Sequence, residues 1–292
     1  MSGDEAFRAH VDPIAPGGSE ATSWGKNRLI HRAYRATGQA EYASPLPEMP
    51  MSEFPPAMLH DPFTEVFDDV WNIRGTLRMY PLMTITRCMT VVREGDALTL
   101  INAVRLDEDG LAALEALGTV KNVVKIGSHG MGDPFYVDRY GATWWALPDA
   151  TPPDGLTVDR TLTEDDLPLS DASLFVFEAA PRESALILAR HGGILVACDS
   201  VQNLTDLTHC SFLGRVALRL GGFVRQAQIG TIWRMRVDKP RGRLKPDFER
   251  LLQHDFRHLC TGHGLPLLDV AKDRLSEVVH ERYGRTARRP VR

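Results

Sequence analysis

The chain has 292 residues, 43% of them hydrophobic and 25% charged, with a net charge of −4. That is the profile of a globular protein with one large domain and an appendage, or two small domains. The acidic balance argues against a general nucleic-acid binder. Cys88, Cys198, Cys210 and Cys260 have neither CxxC spacing nor the density of a disulfide framework, so they read as free thiols in a reducing compartment. The N-terminus carries acidic residues and no apolar signal core, and no apolar run is long enough to span a bilayer. The expectation is a cytoplasmic protein acting on a small molecule, without membrane or nucleic-acid partners and with a homodimer left open.

Residues 1–62 lack periodicity and are rich in breakers, among them Pro13, Pro16-Gly17-Gly18, Pro45, Pro47 and Pro55-Pro56. Apart from a short helix around 26–37, they are expected to form an extended or partly disordered arm. The folded domain is expected over 63–284. Val70 to Ile73, Thr84 to Val92 and Ala97 to Val104 read as strands, with Glu94-Gly95-Asp96 as a turn. Asp107 to Leu117 is the clearest helix: Leu111, Leu114 and Leu117 recur at helical spacing, acidic residues begin it and Gly118 closes it. Val120 to Ile126 is valine-rich and suits a buried strand. Strands are expected again over 156–161, 173–178, 184–189 and 193–198, with His191-Gly192-Gly193 as a hairpin turn. Residues 204–236 and 246–254 read as helical, 258–261 as a strand and 268–283 as a last helix. Residues 285–292, with Arg285, Arg288, Arg289 and Arg292, form a basic tail that reads as a solvated end.

Three apolar runs end in residues that can hold a metal. Ser128-His129-Gly130-Met131-Gly132-Asp133-Pro134 follows the first, Asp199 follows Val196-Ala197-Cys198, and His263 stands in Gly262-His263-Gly264 after Cys260-Thr261. Sites in sheets of this kind lie beyond the carboxyl ends of strands. Loop, carboxylate and Gly-His-Gly in this order resemble the metallo-β-lactamase fold superfamily, over roughly residues 67–283. The resemblance implies a four-layer αββα sandwich, an α/β (α+β) architecture, with the site at one edge between the sheets. Of the superfamily's loop motif His-x-His-x-Asp-His, the first histidine falls on His129 and the aspartate on Asp133. The second histidine falls on Met131 and the last on Pro134, while a further ligand histidine falls on Pro181. The bridging aspartate falls on Asp199 and the final histidine on His263.

The resemblance therefore implies a metal set of His129, Asp133, Asp199 and His263, sufficient for one ion rather than two. Two carboxylates with imidazole suit zinc, iron or manganese. One reading is a mononuclear hydrolase in which Asp133 also orients the nucleophile, as its counterpart does across the superfamily. The other is a metal-free relative that keeps the pocket as a binding or structural module. His209 and Glu183 are candidate replacement ligands, with a surface or core role the simpler account of His209. Alternation along the strand points Cys198 away from Asp199, as a small buried hydrophobe. Asp133-Pro134 can also serve simply to begin a helix over 135–140.

Overall fold

The alternating pattern after Phe67 becomes two long strands in a tight hairpin, β2 (Val70–Tyr80) and β3 (Met83–Glu94). The computed structural model describes residues 54–153, 156–178 and 183–284. Most of the expected arm with its helix, Pro181 and the basic tail lie outside the described residues. Around the hairpin forms a seven-stranded sheet in chain order: β1 (Thr64–Phe67), β2, β3, β4 (Ala97–Ile101), β5 (Thr119–Lys125), β6 (Thr143–Ala146) and β7 (Arg160–Thr161). Pairing is antiparallel up to β4 and parallel from there on. The change comes where crossover helices replace turns: α1 (Glu108–Leu117) returns the chain to β5 and α2 (Asp133–Tyr140) to β6. Asp107 caps α1 by accepting from the Gly110 amide at 2.9 Å.

The second sheet runs in the order β13 (His258–Thr261), β10 (Ile194–Ala197), β9 (Ser184–Leu188) and β8 (Ala172–Val176). The expected turn at His191-Gly192-Gly193 joins β9 to β10, all three residues at positive φ. A small ribbon pairs β11 (Val201–Gln202) with β12 (Gln228–Ile229). The remaining described helices are α3 (Phe212–Leu220), α4 (Thr231–Val237), α5 (Lys245–Leu251) and α6 (Ala271–Tyr283).

Period-two alternation sorts the strand side chains into layers. Ile101 and Val124 face Leu186, Leu188 and Val196 between the sheets. Leu100 and Val123, their chain neighbours, pack with Leu111, Leu114 and Tyr136 of α1 and α2. On the other flank, Ile187, Leu195 and Leu259 pack with Phe248, Leu251 and Leu275 of α5 and α6. The result is the expected αββα sandwich, each buried Leu or Val contributing about 1.5–3 kcal/mol.

Three expectations change. Residues 204–236 are not one helical stretch: Gly222 at φ +70 follows α3, and β12 pairs with β11 before α4 begins. The strand expected at 156–161 shrinks to β7, whereas Trp144 and Trp145 lie in β6. The end of the expected arm is ordered against the sheet. The Thr76 hydroxyl donates to the Leu59 carbonyl at 2.9 Å, the Asp61 amide donates to the Arg74 carbonyl at 2.8 Å, and Phe54 meets the Phe135 ring edge-on at 5.7 Å.

Candidate metal centre

β10 and β13 are parallel neighbours in the register Ala197 to Thr261. Asp199 and His263 each lie two residues past that pair, so the sheet delivers both to the same edge. The third arm, His129, follows β5 of the facing sheet. Two glycines make the approach possible. A Cβ on Gly262 would stand 2.8 Å from Cε1 of His129, and one on Gly264, where φ is +104, would stand 1.9 Å from the Asn203 carbonyl oxygen.

The three side chains converge. Nε2 of His263 is 3.1 Å from Nε2 of His129 and 3.1 Å from Oδ1 of Asp199, and His129 Nε2 is 3.7 Å from that oxygen. These separations bracket the roughly 3.4 Å edge of a tetrahedron with zinc–nitrogen and zinc–oxygen bonds near 2.1 Å. The ring of His263 is also fixed in a telling sense. Its Nδ1 lies 2.8 Å from the Thr86 carbonyl oxygen, which can only accept, so Nδ1 carries hydrogen. In the neutral ring Nε2 then presents a lone pair to the Asp199 carboxylate. Two acceptors at 3.1 Å need a cation between them, either a second ring proton or a metal ion.

Electrostatics agree with a ligand set. Burial pushes the His129 pKa well below its ordinary value, leaving the neutral imidazole that metals bind. Burial opposes the Asp199 carboxylate, but its hydrogen bonds, the Ser128 hydroxyl's among them, outweigh it and hold the carboxyl well below the usual range. The Ser128 hydroxyl donates to Oδ2 of Asp199, and Gln202 donates to Oδ1 at 3.4 Å. The residues present therefore fit one metal ion.

Asp133 is placed differently. It is fully buried in the first turn of α2, and its Oδ2 accepts from the Trp144 indole at 2.9 Å. Burial raises its pKa, while Lys125 and Arg87 act in the opposite direction. Lys125 donates to the His129 carbonyl and Arg87 to the Ala103 carbonyl, both from largely buried positions. Met131 is exposed. Among the candidate replacements, His209 pairs with Asp61 at 2.5 Å. Glu183 is buried, with one oxygen accepting from the Ser200 amide at 2.5 Å and the other without a partner among the described residues. Burial, followed by the Asp199 charge, pushes its carboxyl up to about 8.

Cys198 continues the alternation of β10, packing with Ile194 and Val196 as the small buried hydrophobe expected. Its sulfur is buried between the sheets, yet it lies within 4.8 Å of a His129 nitrogen and an Asp199 oxygen. Ser128, Lys125, Arg87 and Trp144 were not identified as site residues from sequence. Only Arg87, a charge within the apolar run Thr84 to Val92, carried a readable signal.

A surface groove lies away from this trio. It measures about 580 Å³ and lies between the β2–β3 hairpin tip and α3, lined by Tyr80, Leu82, Met83, Leu213 and Val216. Ser211 ties the two walls together by donating to the Leu82 carbonyl at 3.0 Å.

Compared with protein-family models and with curated proteins, the sequence matches none. Solved structures do match. The metallo-β-lactamase FIM-1 from Pseudomonas aeruginosa, in a mono-zinc form, is 15% identical with a TM-score of 0.53, over 77% of this chain and 97% of that one. A metallo-β-lactamase from Erythrobacter litoralis is 16% identical with a TM-score of 0.50, over 75% and 92%. A variant flavo di-iron protein from Thermotoga maritima is 14% identical with a TM-score of 0.54, over 77% and 63%. At such identities the likeness concerns architecture, and on it, with the layer order above, this chain has the metallo-β-lactamase fold.

Proposed function

We propose that the protein is a single-metal hydrolase in which His129, Asp199 and His263 hold the ion. The observation that carries this is the convergence of His263 Nε2 with Oδ1 of Asp199 and with Nε2 of His129, each at 3.1 Å. Two imidazoles and one carboxylate suit zinc, iron or manganese. When bound, such an ion supplies Lewis acidity towards a carbonyl or phosphoryl oxygen. The chain's own groups do the rest. The Thr86 carbonyl fixes the His263 tautomer, and Ser128 and Gln202 hold the Asp199 carboxylate in orientation. Asp133, bonded to Trp144 inside the protein, positions the loop in this reading rather than touching substrate. Met83, at the rim of the apolar groove, is three residues from Thr86 along β3, about 10 Å. That supports an organic substrate with an apolar part.

The test is metal content after purification without a histidine tag or added metal. We expect about one equivalent, lost in Asp199→Ala and in His263→Ala. A second reading, a metal-free binding module, has one observation in its favour: Lys125 and Arg87 already offset the buried carboxylates. It becomes the better reading if the protein is metal-free and zinc, iron and manganese all leave its melting temperature unmoved.

A further inference from the structure

A second, smaller cavity of about 260 Å³ lies among the end of α3, β12, the start of α4 and the last turns of α6. Three arginines line it, Arg225, Arg234 and Arg282, against one acidic residue, Glu281. Glu281 is already engaged, accepting from Arg225 at 2.7 Å. Nε of Arg282 is shielded from solvent and has no acceptor among the described residues. The Arg234 charge is partly buried and set against those of Arg282 and Arg241, with Asp238 in partial compensation. Asp238 is itself committed: one oxygen accepts from the Gly242 and Leu244 amides at 2.8 and 3.2 Å, the other from the Tyr283 hydroxyl at 3.1 Å. Like charges have thus been brought together, partly out of water, and of the three arginines only Arg225 has a carboxylate partner among the described residues. An arrangement of this kind is stable when an anion completes it.

We propose that this cavity binds a dianionic phosphate group, gripped by Arg234 and Arg282. A guanidinium presents a planar fork that matches two oxygens of a phosphate, and two forks suit a tetrahedral oxyanion. Three positive side chains less one negative leave two charges in the lining, which match a dianion better than a monocarboxylate. The volume lies below the roughly 300 Å³ at which pockets for larger organic ligands begin. The ligand is therefore inorganic phosphate or a small phosphate monoester. The inference does not depend on the metal reading. Gln228 and Ile229 of β12 line the cavity, and β12 pairs with β11 two residues after Asp199, so the two sites share a ribbon but no side chain named as a ligand.

The experiment uses the full chain treated with a chelator, so that phosphate has no metal ion to bind. Inorganic phosphate and glycerol 3-phosphate are each titrated by calorimetry at constant ionic strength. We expect saturable one-to-one binding with Kd about 1 mM or tighter. Arg234→Gln and Arg282→Gln should each weaken it about tenfold or more. Arg234→Lys, which keeps the charge and loses the fork, should weaken it as well. Arg274→Gln, on an exposed arginine paired with Glu277, should leave it unchanged. Tighter binding of the ester would identify a phosphorylated metabolite as the ligand, and equal or weaker binding would identify free phosphate. Both arginines are only partly buried, so the variants should keep the parent's circular dichroism. The proposal fails if the parent gives no saturable heat, if acetate binds as tightly as phosphate, or if the folded Arg234→Gln/Arg282→Gln double variant binds phosphate like the parent.

Discussion

Asp133 falls on a ligand position only by resemblance, and its carboxylate is turned into the protein, towards the Trp144 indole and the charges of Lys125 and Arg87. Two fixed cations, Lys125 and Arg87, offset the buried Asp133 carboxylate with protein charge, which a chelator cannot remove. A charge stripped of its partner inside the protein costs about 3–5 kcal/mol. Lys125→Met should therefore destabilise the fold by about 3 kcal/mol in urea denaturation. Adding Asp133→Asn should recover part of that loss, with a coupling of about 1–3 kcal/mol. Strictly additive losses would mean that the two charges do not interact. A second consequence concerns the missing imidazoles. Met131→His with Pro134→His restores ligands, but the cations remain, so metal content should stay at about one equivalent. A variant that takes up a second ion would show that Lys125 and Arg87 do not stand in its place.

Much of the element order was legible because it rests on local signals. Leu111, Leu114 and Leu117 at helical spacing with Asp107 in front gave α1, and the hairpin turn of glycines gave β9 and β10. The site was legible only as three strand ends. What brings them together is the register Ala197 to Thr261, a pairing that no local pattern encodes. Cys198 was legible as a small buried hydrophobe because the two-residue period of Ile194 and Val196 carries through it, but its nearness to His129 and Asp199 was not. The partnership of Ser128 with Asp199 is also a long-range contact, invisible until the loops are placed. Gly262 lets this idea be tested at the level of the loop. Its alanine variant puts a methyl group 2.8 Å from the His129 ring and 3.2 Å from the Cys198 carbonyl oxygen. His129 must move, whereas Asp199 and His263 remain on their strand ends. Gly262→Ala should therefore bind metal at least tenfold more weakly while its melting temperature falls by only a few degrees, about 1–2 kcal/mol of stability. Unchanged metal affinity would remove His129 from the ligand set.

At the scale of the whole molecule, the two sheets are tied at the end of β9 by Arg190. Its guanidinium donates to Asp171 beside β8, and also to Asp69 before β2 and Glu94 at the end of β3, at 2.6, 2.7 and 2.9 Å. The backbone amide of Arg190 donates to Asp171 as well, at 3.0 Å. This cluster is half-shielded, so its worth lies between that of an exposed ion pair and a buried one. Burial works against the Asp171 carboxylate, but the Arg190 side-chain and backbone hydrogen bonds outweigh it and lower its pKa. The sign of the linkage follows. A carboxyl whose folded pKa is depressed contributes its full stability above the unfolded value near 4, and loses it as pH falls through the folded value. Arg190→Met removes the common partner and should cost about 1–3 kcal/mol at neutral pH, a fall in melting temperature of about 3–10 °C. The gap between variant and parent should then narrow as pH drops below about 4, because protonation takes from the parent what the substitution has already taken from the variant. Melting curves recorded between pH 7 and pH 3 test this. A gap that stays constant through that range would mean that Arg190 joins the sheets by packing and not by charge.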